Sequence, residues 1–387
     1  MNSTLRPLAG LFQPTKLKAL YYGPHTVKNS LLSCLPSQSS KALIVTVPTL
    51  ATKTNLIKQI EQLLGPNHHL STFHDIKEHA PIAQIDEASD LVQQDGNLDT
   101  VISVGGGSPI DSAKAISYRM HNKNGRFLTH IAIPTTLSAP ETTAFAGFTM
   151  EDGTKTTVYH PNLQASYVLY DPSFARHTPP TLFTSTGIRA LDHAVEMQYH
   201  PTATVVPCRQ MALSAIHDFF KYLPQYHRDP TGVDDEVITR LFLASFSSMG
   251  FLGLNMKGGL GLSHALGYAL GSPYRIPHGI TSCLTLGHVV KLKARRNLEH
   301  AASVAAILPA MGIQRSGDDI EDAEKVGDLI LRLVADLGLS TTLTEKNVSR
   351  DQIDIITARA TVLKRKSLDS DGQKMWEDVS TLVQKLY

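Results

Sequence analysis

Val101-Ile102-Ser103-Val104-Gly105-Gly106-Gly107-Ser108-Pro109-Ile110-Asp111-Ser112-Ala113-Lys114 reads as a strand that runs into three glycines and then into a helix. Glycines let the backbone turn tightly and approach a ligand with no Cβ in the way. Ser108 stands where a cap for the next helix is expected, Pro109 suits a first turn, and Asp111 completes an [ST]-x-x-[DE] pattern. Free N–H groups at a helix start, facing a glycine-lined gap, make an anion site suited to a pyrophosphate. Ile110 stands where the third glycine of the common G-x-G-x-x-G fingerprint would be, so this is a different phosphate loop.

Outward from this loop, short apolar runs alternate with helical patterns. Strands are expected at 42–47, 98–104, 131–134 and 167–170, with a helix at 56–64. Continuous apolarity and strand–helix alternation predict a parallel sheet covered on both faces. After residue 176 the texture changes to helical periodicity, at 187–199, 208–222, 235–254, 260–270, 298–311, 325–337 and 372–387. The expected fold class is therefore α/β plus all-α. An α/β nucleotide domain spans 1–176, and an all-helical catalytic domain spans 177–387. A chain of 387 residues is long enough for two such cores.

Charge narrows the partners. Lys plus Arg (36) nearly cancels Asp plus Glu (35), which argues against nucleic acid or an acidic membrane surface. Cys34, Cys208 and Cys283 fit neither a disulfide framework nor a CxxC zinc site and suit a reducing compartment. No apolar run reaches the roughly 18–20 residues of a membrane helix. The first sixty residues lack Asp and Glu, as transit peptides do, but they contain the core strand at 42–47, so a cytoplasmic location is expected.

Other segments belong to the same cleft. Thr135 and Thr136 follow a strand directly, at the carboxyl end where ligands of parallel sheets sit. Lys155, in Gly153-Thr154-Lys155-Thr156-Thr157, is placed to reach a ribose or phosphate. In the helical half, Arg189 and His193 are four apart and share a helix face. Asp192 and Glu196 lie one step round, where a solvated or interface role is expected. His264 and Tyr268 share a second face, near Gly267 and Gly271, and His278 sits in a Pro277-His278-Gly279 turn. Histidines on two helical regions can converge on one metal or one substrate.

In this order, the Gly-Gly-Gly-Ser-Pro-x-Asp-x-x-Lys loop, Pro134-Thr135-Thr136, the Ala-x-x-His-Ala-x-Glu segment at 190–196 and the element from His264 to Gly279 resemble the iron-containing alcohol dehydrogenase family. The resemblance implies a Rossmann-like nicotinamide domain, a helical domain of the dehydroquinate synthase-like fold, and catalysis between them. It assigns Gly105, Gly106, Gly107 and Ser108 to the pyrophosphate of NAD(P)H, with Thr135, Thr136 and Lys155 placing the dinucleotide. It also implies a homodimer acting on a small molecule. The family's metal is held by one Asp and three His, and His193, His264 and His278 carry over. Arg189 stands where the acidic ligand belongs, Tyr268 where many members have another histidine, and Val47 where an acid often reads the adenosine ribose. Maleylacetate reductases are similar in lacking the acidic ligand, and they are regarded as working without iron.

Guanidinium does not deprotonate in proteins. Beside a divalent ion at 4 Å it would be repelled by roughly 8 kcal/mol at an effective dielectric near 20. No catalytic metal is therefore expected. Arg189 would polarise a carbonyl or clamp a carboxylate, while His193, His264, His278 and Tyr268 orient the substrate and supply the proton. Two other readings stay open: a metal-dependent alcohol dehydrogenase with a three-histidine site, and a non-redox lyase or isomerase that kept the fold.

Overall fold

The structure is a computed structural model, and it describes residues 15–77, 80–94, 97–152, 154–249, 258–363 and 369–387. Eight strands form: β1 (Ala19–Tyr22), β2 (Lys41–Val45), β3 (His69–Phe73), β4 (Leu98–Gly105), β5 (Thr129–Pro134), β6 (Phe145–Thr149), β7 (Lys155–Tyr159) and β8 (Tyr167–Tyr170). Six of them make one parallel sheet in the order β1-β8-β5-β4-β2-β3, and β6 and β7 pair as an antiparallel hairpin. The four strands expected from sequence are present. β1, β3 and the hairpin were not anticipated.

Neighbouring residues of β4 face opposite sides, as strand geometry requires. Val101 packs with Leu43, Val45, Ala113 and Ile116 beneath the helix Gly107–Asn124. Ile102 and Val104 pack with Ile44, Ile131 and Ile60 beneath the helix Leu56–His68. Burying both faces explains why these strands are apolar throughout rather than alternating. The chain adds β3 on one side of β2, then returns to place β4 on the other. That reversal puts a crevice at the carboxyl ends of β2 and β4, where open α/β sheets take their ligands.

Helices follow from Pro172 onward and surround one central helix, Pro180–Tyr199, buried at every residue from Phe183 to Tyr199. Gln210–Arg228, Asp235–Met249 and His278–Arg296 pack around it. The helix expected at 235–254 ends at Met249 among the described residues, and its last expected residues lie outside them. The helix His278–Arg296 was not anticipated. His278 is its first residue, capped by Pro277, rather than part of a free turn.

Candidate active site

Between sheet and helices lies a cavity of about 1460 Å³ lined by residues of both halves. Ordinary small-ligand sites measure roughly 300–1,000 Å³. Its floor is the glycine loop. Gly105 adopts φ +134°, which only glycine holds without strain, and a Cβ on Gly106 would stand 3.0 Å from Thr136 Cγ2. The threonine loop thus closes directly over the glycines, and the Thr135 N–H donates to Gly105 O at 3.0 Å. The helix begins at Gly107 with Gly106 as its cap, so Ser108 lies within the first turn and is not the cap expected of it. Asp111 does not cap either: its Oδ2 accepts from the Gly147 N–H of the hairpin at 3.2 Å.

Lys114, one turn further on, is fully buried. Its ammonium donates to Pro140 O (2.5 Å), Phe145 O (2.7 Å) and Thr143 Oγ1 (3.1 Å). It pins β6 to the phosphate helix and thereby sets where β7 carries Lys155. Lys155 Nζ donates to His278 Nε2 at 2.8 Å and sits 5.4 Å from the centre of the Tyr268 ring. Burial lowers the Lys155 ammonium pKa, and Arg189 lowers it further against the pull of Asp111. A residue of the hairpin therefore meets two residues of the helical half across the cavity.

The central helix supplies Arg189, Asp192, His193 and Glu196, spaced i, i+3, i+4 and i+7, one continuous polar stripe on a buried helix. Of the solvated or interface role expected for Asp192 and Glu196, the solvated one is excluded, since both are 0% exposed. Asp192 Oδ2 accepts from Ser282 Oγ (2.6 Å) and Ser263 Oγ (2.7 Å). Glu196 Oε1 accepts from the Ser263 N–H (2.8 Å), and its Oε2 lies 2.7 Å from His264 Nδ1. Arg189 Nη1 donates to Ser282 Oγ at 3.2 Å and stands 3.9 Å from Asp192 Oδ2. A Cβ on residue 267 would approach Arg189 Nη1 to 3.1 Å, so Gly267 makes room for the guanidinium.

These contacts set the charges. Burial and then Arg189 oppose protonation of His264, but Asp192 and the carboxylate hydrogen bonds outweigh them and hold its pKa above the ordinary value. Burial pushes the Asp192 carboxyl up, yet His264, Arg189 and Ser282 together hold it below the usual range. His193 is held well below its ordinary value by burial, then by His264 and Arg189, and is a neutral imidazole. Its ring lies 4.8 Å from that of His264. His193 Nδ1 and His264 Nε2 are buried without a hydrogen-bond partner among the described residues, so a substrate oxygen could satisfy them.

Ligand atoms of Asp192, Glu196 and His264 lie within 4.8 Å of one another, close enough to hold a metal ion. Asp192 Oδ2 and Glu196 Oε1 accept from two serine hydroxyls and a backbone N–H, and Glu196 Oε2 faces the imidazole, but Asp192 Oδ1 has no hydrogen-bond partner among the described residues. Arg189 already serves as the neighbouring cation. His278, the third histidine of the expected set, spends Nε2 on Lys155. The cluster offers a divalent ion three ligands with a guanidinium beside them. The helix start, the open glycines and the neighbouring threonines fit a dinucleotide.

Sequence reading brought Arg189, His193, His264, Tyr268 and His278 to one cavity with Gly105–Gly107, Ser108, Thr135, Thr136 and Lys155, and all of them line it. It missed Asp192, Glu196, Ser263 and Ser282, although the i, i+3, i+4, i+7 stripe was visible. The family model for iron-containing alcohol dehydrogenase matches residues 18–172, and that for the family's C-terminal region matches residues 183–387. Maleylacetate reductase 2 of Cupriavidus pinatubonensis is 32% identical over 241 residues, 62% of this chain and 63% of its own. Maleylacetate reductase from Rhizobium sp. strain MTP-10005 superposes with TM-score 0.78 at 22% identity, over 99% of both chains. Sulfoacetaldehyde reductase from Bifidobacterium kashiwanohense, solved in complex with NAD+, gives 0.80 at 20% identity over 98% of this chain and 99% of its own. With the family models matched along both halves, the chain belongs to the iron-containing alcohol dehydrogenase family of oxidoreductases, with maleylacetate reductases among its relatives.

Proposed function

We propose that the cavity binds a nicotinamide dinucleotide and reduces a carbonyl or conjugated double bond of a small anionic substrate, with Arg189 in the electrostatic role a metal plays elsewhere in the family. The bound dinucleotide supplies the hydride. The chain's own residues do the rest. Gly105–Gly107 and the start of the helix Gly107–Asn124 offer backbone N–H groups to the pyrophosphate. Arg189 and Lys155 present positive charge to a substrate carboxylate or polarised oxygen. His264, whose pKa Asp192 and Glu196 raise, is placed to supply the proton that the reduced oxygen or carbon receives. Tyr268 and His278 form a wall that orients the substrate.

One observation carries this reading: a buried guanidinium fixed by Ser282 among Asp192, His193 and His264. Arg189→Ala is expected to cut kcat at least about a thousandfold, the scale of losing a transition-state charge donor, while nucleotide still binds in titration. Retained turnover in that variant would remove the proposal. The mutual approach of Asp192, Glu196 and His264 favours a second reading, a metal-dependent alcohol dehydrogenase. A stoichiometric transition metal in the purified protein, whose removal abolishes turnover, would establish it.

A further inference from the structure

Past Glu196 the central helix ends at Tyr199, among basic side chains that do not line the cavity. The chain then turns through Thr204 to Arg209. Arg209 Nη2 donates to His200 O at 3.0 Å, and the Arg209 N–H donates to Thr204 O at 3.1 Å. The helix Leu298–Ala305 brings His300 to the same place, its ring 5.3 Å from that of Tyr199. Lys293, in the last turn of the helix His278–Arg296, completes the group. Its charge and that of Arg209 both bear on His300, and Glu196 in turn bears on Lys293.

These side chains share one feature. Arg209 Nε, His300 Nδ1 and Thr204 Oγ1 are buried atoms with no hydrogen-bond partner among the described residues. The ammonium of half-buried Lys293 has no hydrogen bond or ion pair among them either. Its neighbours on the helix are paired: Arg295 meets Glu324, and Arg296 donates to Asp378 at 2.7 Å. The pull of a helix carboxyl end on cations explains a lysine in the last turn. It does not explain buried nitrogens left unpaired beside it, which cost free energy unless something meets them.

The acids at hand do not meet them. Glu196 accepts from the Ser263 N–H and the Tyr199 hydroxyl and faces His264. Glu299, exposed, pulls on the His300 charge, yet burial and then Lys293 hold that imidazole below its ordinary value. A guanidinium, an ammonium, an imidazole and a hydroxyl with bonding positions to spare have the chemistry of an oxyanion site. We infer that Arg209, Lys293, His300 and Thr204 bind a small oxyanion of the phosphate class, at a site separate from the cavity. Tyr199 and Glu196 connect it to His264, since the Tyr199 hydroxyl reaches Glu196 Oε1 at 3.3 Å. This inference stands apart from the dinucleotide reading.

Calorimetric titration of the purified full chain with inorganic phosphate tests it. The wild type is expected to bind the ion, and Lys293→Met and Arg209→Gln are each expected to weaken it about tenfold or more, the worth of one charge-assisted hydrogen bond. Arg295→Gln, which removes a neighbouring charge that is already paired, should leave affinity within about twofold. Arg209→Gln also loses the bond to His200 O, so Lys293→Met decides if that variant unfolds. Lys293→Met should not lower Tm in phosphate-free buffer, because the charge it removes has no partner. Absence of phosphate binding in the wild type overturns the site. So does binding that Lys293→Met leaves within twofold, as an ion on the glycine loop would behave, or binding that Arg295→Gln weakens as much as Lys293→Met.

Discussion

Glu141 is 0% exposed, accepts from the Tyr170 hydroxyl at 2.6 Å through one oxygen, and has no partner for the other among the described residues. Burial raises its carboxyl from 4.5 to about 7, against the opposing pull of Tyr170 and Lys114. The folded protein thus holds this proton more tightly than the unfolded chain. The associated stability is whole below about 4.5 and is lost as pH climbs through about 7. Glu141→Gln mimics the protonated form and escapes that loss. Urea unfolding should show the variant level with wild type near pH 4.5 and more stable at pH 8, by up to about 3 kcal/mol. A constant difference across that range would contradict the assignment. At this scale sequence reading did best with residues whose type is unusual for their place, such as Arg189. It misplaced Asp192 and Glu196 because acids on a helix are ordinarily solvated, and only the packing of four elements around Pro180–Tyr199 buries them.

The hairpin β6–β7 depends on one buried cation, since Lys114 reaches two backbone carbonyls and Asp111 ties the same hairpin to the phosphate helix. Lys114→Met would take the ammonium from those carbonyls, leaving Pro140 O to the Thr143 N–H, and would remove the counter-charge 3.5 Å from Asp111. The expected cost is about 3–5 kcal/mol in chemical denaturation, together with weaker nucleotide binding as the hairpin shifts. Unaltered stability would show that the hairpin holds itself. The elements that escaped sequence reading share physical reasons. β3 (His-Leu-Ser-Thr-Phe) lies at the sheet edge, half-buried and without a clean apolar run. The helix His278–Arg296 carries Gly287, a weak helix former, where Leu331 and the Gly327 carbonyl crowd in so closely that a Cβ would not fit. Strands buried on both faces announce themselves; edges and close helix contacts are settled by their neighbours.

Across the whole molecule, sheet and helices meet at the cavity, so a ligand there touches both halves. Saturating nucleotide, at about a hundred times its Kd, should stabilise the fold by about 2.7 kcal/mol and raise Tm by several degrees. A chelator should change neither Tm nor turnover, whereas a fall in both would return the metal-dependent reading to first place. No described helix is long and apolar enough to cross a membrane. The order of parallel sheet and then helices was legible because apolar strands give way to helical periodicity. The cross-cavity bond between Lys155 and His278 was not, because 123 residues separate its ends.

Arg189 and Asp192 sit three residues apart on one rigid helix, so cation and counter-ion travel as a unit. Exchange of the arginine for aspartate would gather three acids around the His264 imidazole. That arrangement is tolerable only if an ion arrives from outside. One residue therefore separates a pocket that balances its own charge from one that must draw its balance from the medium.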